Sequence, residues 1–336
     1  MLSSQPPRIL SGVQPSGKLH LGNYFGAIRQ HIALQEKGEA FYFIADYHAL
    51  TTIQDADQHR SLVHDVALDY LALGLDREKA TFFRQSDVPE VTELAWFLAT
   101  VTGMGLLERA HSYKDKVARG IKSKVGLFFY PVLMAADILA YRSDLVPVGK
   151  DQVQHIEMAQ DMAEHFHHAF GQKVFRRPEA HLAGEAAVVL GTDGQKMSKS
   201  YENTIEIFSE GKPLQKAVMS IVTDSRGVDE PKDPDDCPVY QLYCLIAEPE
   251  EAEEMASALR GGGYGYGDAK KTLLTAIESR LSEARERRRE LESRPDDVEA
   301  VLAEGGRRAR EEARAVLGEV REAVGMAGAP IADISL

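Results

Sequence analysis

The chain has 336 residues, 44% of them hydrophobic, so it can bury one large core or two smaller ones. Its net charge of −13 argues against indiscriminate binding to nucleic acid, because phosphate contacts depend on lysine and arginine. Since no apolar run approaches the roughly 18 residues of a membrane span and the N-terminus has no signal-like apolar segment, we expect a cytoplasmic protein without membrane contact.

Five short apolar runs, rich in β-branched or aromatic residues, are typical of buried parallel strands. They cover residues 8–13, 40–45, 80–84, 145–148 and 187–190. Segments with helical spacing lie between them, at residues 24–36, 58–73, 91–101, 126–141 and 152–170. The alternation predicts an α/β fold with a parallel sheet, in which ligands bind at the carboxyl ends of the strands.

After residue 201 the sequence changes to charged, Ala- and Leu-rich segments with helical spacing, as at 268–291 and 298–324. We predict a catalytic domain over 1–207, an all-helical second domain over 208–325 and a C-terminal tail over 326–336. The glycine-rich stretch 261–267 lacks the Lys-Ser/Thr of a phosphate loop and is interpreted as a hinge between helices.

The loop after the first strand, residues 11–23, combines glycines with the start of a helix. A helix N-terminus offers unpaired N–H groups and positive potential, which suit phosphate. Within this loop, His20-Leu21-Gly22-Asn23 has the form of the HIGH signature of class I aminoacyl-tRNA synthetases and related nucleotidyltransferases.

A second signature follows the last predicted strand. Residues 196–200 are identical to the KMSKS motif of the same synthetases. When a carboxylate attacks the α-phosphate of ATP, negative charge grows on the departing pyrophosphate, and Lys196 and Lys199 could neutralise it. Considered alone, His20 is equally well explained as a histidine packed in the core, and the lysines as part of a solvated loop. The presence of two signatures in the expected order outweighs these alternatives.

Longer strings at 11–23, 45–51, 130–137 and 146–155 resemble the tryptophanyl-tRNA synthetase family over nearly the whole chain. The form of residues 14–17 favours this family over the tyrosyl enzymes, which share its fold branch. The resemblance implies a Rossmann-like catalytic domain, a helical anticodon-binding domain and a homodimer. It also implies activation of L-tryptophan by ATP, which brings Mg²⁺, and transfer from the adenylate to tRNA(Trp).

The same resemblance assigns the tryptophan pocket. In the family, the aspartate that matches Asp137 accepts the indole N–H, and Met134, one helical turn earlier, packs on the ring. A carboxylate among apolar neighbours needs such a donor, although an Asp satisfied elsewhere is the alternative. The other residues expected at the amino acid are Gln14, His48, Tyr130, Val146, Val148 and Gln152.

For ATP and catalysis the resemblance implies residues from several loops. The expected catalytic residues are His20, Asn23, Lys116, Lys196 and Lys199. The expected ATP contacts are Gln14, Pro15, Ser16, Gly22, Asn23, Gly149, Lys150, Asp151, Val188, Val189, Lys196, Met197, Ser198, Lys199 and Ser200. Lys114, Lys122 and Lys124 compete with Lys116, and a solvated loop is the alternative for all four.

Neither a protein-bound metal nor an iron–sulfur cluster is expected. Cys237 and Cys244 are too few for a four-cysteine site. The pattern around His165, His167 and His168 is more typical of a surface helix than of a metal site. Arginine clusters at 285–289 and 307–310 are candidates for a basic surface. Glutamates interleave with the first cluster, which favours ion-paired helix faces for most of these arginines.

Two rival functions stay open at this point. One is another enzyme with the same phosphate chemistry, either a tyrosyl synthetase or a small-molecule adenylyltransferase. The other is a synthetase-like paralogue that acts chiefly as a binding or regulatory partner, which the acidic composition allows and the intact signatures oppose.

Overall fold

A computed structural model describes residues 6–110, 124–182 and 188–326. Within them, five strands form one parallel sheet in the order β3-β2-β1-β4-β5. The strands are β1 (Arg8–Val13), β2 (Glu39–Ile44), β3 (Ala80–Arg84), β4 (Leu145–Val148) and β5 (Glu179–Leu182). The predicted α/β class is confirmed, and the first four strands lie within one residue of their predicted bounds.

The fifth predicted strand, at 187–190, is wrong over its described part. Val188 is 61% exposed, and Leu190 forms only an isolated bridge with Lys196. The strand that pairs with β4 lies earlier, at Glu179–Leu182, where no residue is fully buried. An edge strand of this kind needs no continuous apolar run, so hydrophobicity alone did not reveal it.

Helices connect the strands and cover both faces of the sheet. After β1 the chain forms α1 (Leu21–Asn23), one π-helical turn (Tyr24–Ile28) and α2 (Arg29–Leu34). The next helices are α3 (Asp46–Ala49), α4 (Ala56–Ala72), α5 (Glu90–Val101), α6 (Met104–Glu108), α7 (Val125–Ala140) and α8 (Val153–Phe170). None of the helices in the described ranges is long and apolar enough to cross a membrane.

Successive strand residues point to opposite faces and create two apolar cores. Ile9, Tyr42 and Phe82 belong to one core, and Leu10 and Phe41 belong to the other. The chain proceeds outward from β1 to β2 and β3, then returns to place β4 on the other side of β1. This reversal leaves a crevice at the carboxyl ends of β1 and β4, where parallel sheets bind ligands.

The chain after residue 207 is helical over its regular elements. The helices are α9 (Gly211–Met219), α10 (Pro238–Cys244), α11 (Pro249–Gly261), α12 (Tyr266–Arg280), α13 (Ser282–Glu292) and α14 (Pro295–Ala323). The glycine-rich stretch supplies the linker between α11 and α12, as predicted. The single helix predicted over 268–291 is instead two helices, because the backbone leaves helical geometry at Leu281 and α13 turns onto α4.

The arginines of α13 are held by contacts with earlier segments of the chain. Arg288 contacts both Asp65 and Asp69 on α4, at 2.9 and 2.6 Å. Arg287 Nε donates to the carbonyl of Ala72 at 2.8 Å, and buried Arg285 donates to the carbonyl of Ser209 at 2.8 Å. The expected ion pairs are present at Arg287, Arg288 and Arg289, which pair with Glu283, Asp69 and Glu210, whereas Arg285 is buried and bonds to backbone carbonyls instead.

The last helix, α14, covers the free edge of the sheet. Among the described strands, β3 pairs only with β2, so its outer edge would otherwise expose unpaired backbone groups. Gly305 lies against that edge, since a Cβ built there would be 1.8 Å from the carbonyl oxygen of Phe82. A residue without a side chain is required at this point of contact.

We expect Gly305→Ala to destabilise the fold by about 1–3 kcal/mol, because the new methyl group must push α14 away from β3. Gly318→Ala is the matched control, since no atom lies within 4 Å of its Cβ position and alanine favours a helix over glycine. Thermal unfolding monitored by circular dichroism measures both effects. Equal melting temperatures for the two variants would contradict the proposed close contact.

Candidate active site

The first signature forms a closed helix start. His20 Nδ1 accepts a hydrogen bond from the backbone N–H of Asn23 at 3.3 Å, and Asn23 Oδ1 accepts one from the N–H of His20 at 3.1 Å. The two side chains therefore cap α1 reciprocally. Burial, and secondarily the positive charge of Lys199, lowers the pKa of His20 to about 4, so its ring is neutral at pH 7.

The second signature packs directly on the first. The N–H of Gly22 points to Met197 Sδ at 3.3 Å. A Cβ at position 22 would lie 2.9 Å from His20 Nδ1 and 3.3 Å from Met197 Cβ, so only glycine fits between the two motifs. Backbone hydrogen bonds reinforce the contact, because Leu21 donates to Ile205 at 2.9 Å.

The two signature lysines differ in their surroundings. Lys196 is exposed, whereas Lys199 is half-buried and its Nζ lies 3.4 Å from the position of a Cβ on Gly17. Gly17 has a φ of +111°, which disfavours other residues there. Burial lowers the pKa of Lys199, and Asp69 and Glu206 oppose that shift. The structure thus places one cation beside the first-strand loop.

Asn203 organises the KMSKS loop from within. Its Oδ1 accepts from the N–H of Ser198 at 2.7 Å, and its Nδ2 donates to Asp193 at 2.7 Å and to the carbonyl of Lys196 at 3.1 Å. The sequence analysis missed this residue. A lone Asn after a turn suggests only turn chemistry, and its buried hydrogen bonds are visible only in the folded loop.

A cavity of about 350 Å³ opens at the carboxyl ends of β1 and β4. It is enclosed by these strands, the π-helical turn and α7. All eight residues expected at tryptophan line it, namely Gln14, His48, Tyr130, Met134, Asp137, Val146, Val148 and Gln152. The structure therefore brings this whole set together around one mostly apolar space.

Asp137 is the buried carboxylate of this cavity, with 2% of its surface exposed. His48 Nε2 lies 3.0 Å from its Oδ2. Gln85 Nε2 lies 2.9 Å from Oδ1 and 2.8 Å from Oδ2. Burial raises the pKa of Asp137, and the hydrogen bonds from His48 and Gln85 oppose that rise.

Tyr130 and Gln152 form the polar side of the cavity. The Tyr130 hydroxyl lies 2.6 Å from Nε2 of the buried His155. Gln152 Nε2 donates to Asp151 Oδ2 at 2.9 Å, just beyond the end of β4. The structure also places Ser11 and His31 on the cavity wall, 3.1 Å apart, although the sequence analysis did not single them out.

The other residues expected at ATP come from the first-strand loop, the end of β4, the segment that begins at residue 188 and the KMSKS loop. Gly149 lines the cavity, and Lys150 and Asp151 follow it on the surface. Pro15 is buried and Ser16 exposed in the first-strand loop, and Ser200 donates from its N–H to Ser198 Oγ at 3.3 Å. Val189 is buried and Val188 exposed. Lys116, with Lys114 and Lys122, lies outside the described residues.

The three neighbouring histidines that were interpreted as part of a surface helix lie near the end of α8. His165 and His168 are exposed, and His167 Nε2 accepts from the N–H of Phe175 at 3.0 Å. Over residues 6–110, 124–182 and 188–326, no group of three or more His, Cys, Asp and Glu is arranged to hold a metal ion. Cys237 is buried and Cys244 exposed, and both are free thiols.

Comparison with known proteins gives a consistent result. The family model described as tRNA synthetases class I (W and Y) matches residues 2–282. A tryptophan–tRNA ligase of Rhodopirellula baltica is 56% identical over 95% of this chain and 99% of its own length. One of Fusobacterium nucleatum is 51% identical over 96% of this chain and 98% of its own length.

Solved structures extend the likeness to three dimensions. The crystal structure of tryptophanyl-tRNA synthetase from Campylobacter jejuni, complexed with ADP and tryptophan, superposes with a TM-score of 0.90. It is 47% identical and covers 95% of this chain and 99% of the crystal chain. A tyrosyl-tRNA synthetase of Archaeoglobus fulgidus, 22% identical with a TM-score of 0.64, shares the fold. With most of its length matched by the family model and by close relatives, the chain belongs to the class I tRNA synthetases of the tryptophan and tyrosine group.

Proposed function

We propose that this chain is a tryptophan–tRNA ligase whose 350 Å³ cavity binds L-tryptophan beside the two signature motifs. One observation carries the proposal. The cavity that collects the eight expected tryptophan residues opens at the switch point of the sheet, and the loop after β1 leads from it to the contact between Gly22 and Met197. Amino acid and ATP phosphates would therefore be held next to each other.

In the first step the tryptophan carboxylate attacks the α-phosphate of ATP, giving tryptophanyl-adenylate and pyrophosphate. Mg²⁺ arrives as part of the ATP complex. No side-chain nucleophile is needed, since the reaction depends on holding the groups in line and on neutralising the leaving group. The α1 N-terminus and Lys199 supply positive potential at the phosphates, with Lys196 on the outer side of the loop.

His20 contributes as a neutral group. With a pKa of about 4 it carries no charge at pH 7, so its Nδ1 remains an acceptor for the Asn23 N–H and maintains the start of α1. Its other ring nitrogen is available as a donor to a phosphate oxygen. Lys116 is proposed as a further ATP contact on the strength of the resemblance alone.

In the second step the terminal ribose hydroxyl of tRNA(Trp) attacks the adenylate carbonyl, and AMP leaves. We assign anticodon binding to the helical segment 208–325, with 1–207 as the catalytic domain. Because Arg288 is engaged with Asp65 and Asp69, and Arg287 with the carbonyl of Ala72, we assign the basic surface for tRNA to other residues. We place the reaction in the cytoplasm, where tRNA is charged for translation.

We expect Lys199→Ala to lower tryptophan-dependent ATP–pyrophosphate exchange by about 10²–10³-fold, the usual cost of removing one donor that stabilises developing charge. Lys196→Ala should act in the same direction, and the exposed Lys173→Ala is the matched control. Circular dichroism verifies that each variant is folded. Near-normal exchange in both signature variants would contradict the proposed role of Lys196 and Lys199 in stabilising the leaving pyrophosphate.

We expect Asp137→Asn to raise the KM for tryptophan at least about tenfold while the KM for ATP stays unchanged, because the indole N–H loses a charged acceptor. The exchange assay, run with tryptophan and with tyrosine, measures this effect and separates the tyrosyl alternative. Unchanged tryptophan kinetics would remove Asp137 from the indole site.

A homodimer is proposed through an apolar surface on α5, α6 and α7, helices that pack together. Trp96 is 67% exposed, Met104 62% and Val125 82%, although large apolar side chains usually avoid water. We expect the wild-type chain to sediment as a dimer and the Trp96→Glu/Val125→Glu variant as a monomer. Val228→Glu, at an exposed valine of the helical segment, should remain dimeric. A monomeric wild type would refute the proposal.

A further inference from the structure

Gln85 lies outside every motif and yet contacts the most deeply buried acid of the cavity. It begins a short 3-10 helix, Gln85–Asp87, directly after β3, and it is 1% exposed. Its Nε2 reaches both oxygens of Asp137, at 2.9 and 2.8 Å. These residues are 52 positions apart in the chain.

The orientation of the Gln85 amide is determined by its other end. Its Oε1 accepts the backbone N–H of Tyr47 at 3.1 Å. Because a backbone N–H can only donate, the oxygen must face Tyr47 and the amide nitrogen must face Asp137. The amide therefore presents donors, and never an acceptor, to the carboxylate.

A second carboxylate holds this arrangement in place. Asp46 Oδ1 accepts the N–H of Tyr47 at 3.0 Å and the N–H of Ser86 at 3.0 Å, and its Oδ2 bonds to the Ser86 hydroxyl. Asp46 thereby ties the end of β2 to the turn after β3. Gln85 sits between two tethered backbone segments and has little freedom to turn away.

The donors are unevenly shared between the two oxygens of Asp137. Among residues 6–110, 124–182 and 188–326, Oδ2 receives hydrogen bonds from Gln85 and His48, the latter at 3.0 Å, whereas Oδ1 receives one from Gln85 alone. Each carboxylate oxygen can accept about two hydrogen bonds. Spare acceptor capacity is therefore left on Oδ1, in a residue that lines the cavity.

We propose that Gln85 is a positioning residue that fixes the Asp137 carboxylate so that Oδ1 accepts the indole N–H, which makes Gln85 a determinant of tryptophan selection. The inference rests on the proposed role of Asp137. Without the amide, the carboxylate would lose a donor on both oxygens and could rotate, and the cost of its burial would be less well offset.

The test compares tryptophan with its isostere β-(3-benzothienyl)alanine, in which sulfur replaces the N–H. The measured quantity is the ratio of kcat/KM for the two substrates in ATP–pyrophosphate exchange. The variants are Gln85→Leu, Gln85→Glu and Asp137→Asn. Gln35→Leu is the matched control, because Gln35 is also buried and bridges backbone groups of Gly74 and Asp76.

We expect both Gln85 variants to reduce the preference for tryptophan about tenfold or more, through KM for tryptophan, with little change in KM for the isostere. Gln35→Leu should lower stability without altering the preference. Gln85→Glu keeps the side-chain shape, so it tests the inference if Gln85→Leu fails to fold.

Two outcomes would count against these roles. If the folded Gln85 variants keep the preference for tryptophan over the isostere while Asp137→Asn loses that preference, the inference about Gln85 is overturned. An unchanged preference in Asp137→Asn as well would refute the proposed role of Asp137 itself.

Discussion

The contact between the segment 19–22 and the segment 197–207 is the constraint on which the proposed phosphate site depends. Leu21 donates to Ile205, Ile207 donates to Leu19, and Gly22 reaches Met197 across 175 positions of sequence. These bonds bring the half-buried Lys199 to the first-strand loop, where it reinforces the positive potential of α1. Separated, the two motifs would be a helix cap and a solvated loop. In contact, they place Lys199 beside the first-strand loop, where we propose that the phosphates of ATP bind.

The reversal of strand order provides the other half of the site. β4 returns to the side of β1 opposite β2, and the cavity lies at the carboxyl ends of these two strands, between the π-helical turn and α7. Its apolar walls suit an indole ring, and Asp137, the buried carboxylate among its described lining residues, is the group that we propose orients the ring. A polar group in an apolar pocket discriminates strongly between ligands. A ligand that leaves this group without a hydrogen bond does not compensate the free energy that its removal from water costs. The shape of the cavity and the carboxylate of Asp137 would therefore select the ligand together.

Buried charges in this protein are paired across segments that are distant in sequence. Arg288 joins α13 to Asp65 and Asp69 on α4, more than 200 positions earlier in the chain. Removing one partner of such a contact leaves an uncompensated charge, so these residues hold elements in register. The consequence for function is direct. An arginine that is paired within the fold, as Arg288 is, contributes less positive potential to the surface.

The sequence alone determined the features that depend on local spacing. It gave four of the five strands, because buried parallel strands are continuous apolar runs, and it gave both signatures and the helix face that carries Met134 and Asp137. The tertiary structure decided which buried polar groups meet. Asn203 and Gln85 belong to no pattern, and the polar edge strand Glu179–Leu182 lacks the apolar run that marks its neighbours. The physical reason is that periodicity reflects burial within one element, whereas the hydrogen-bond partners of a buried side chain come from elements that only folding brings together.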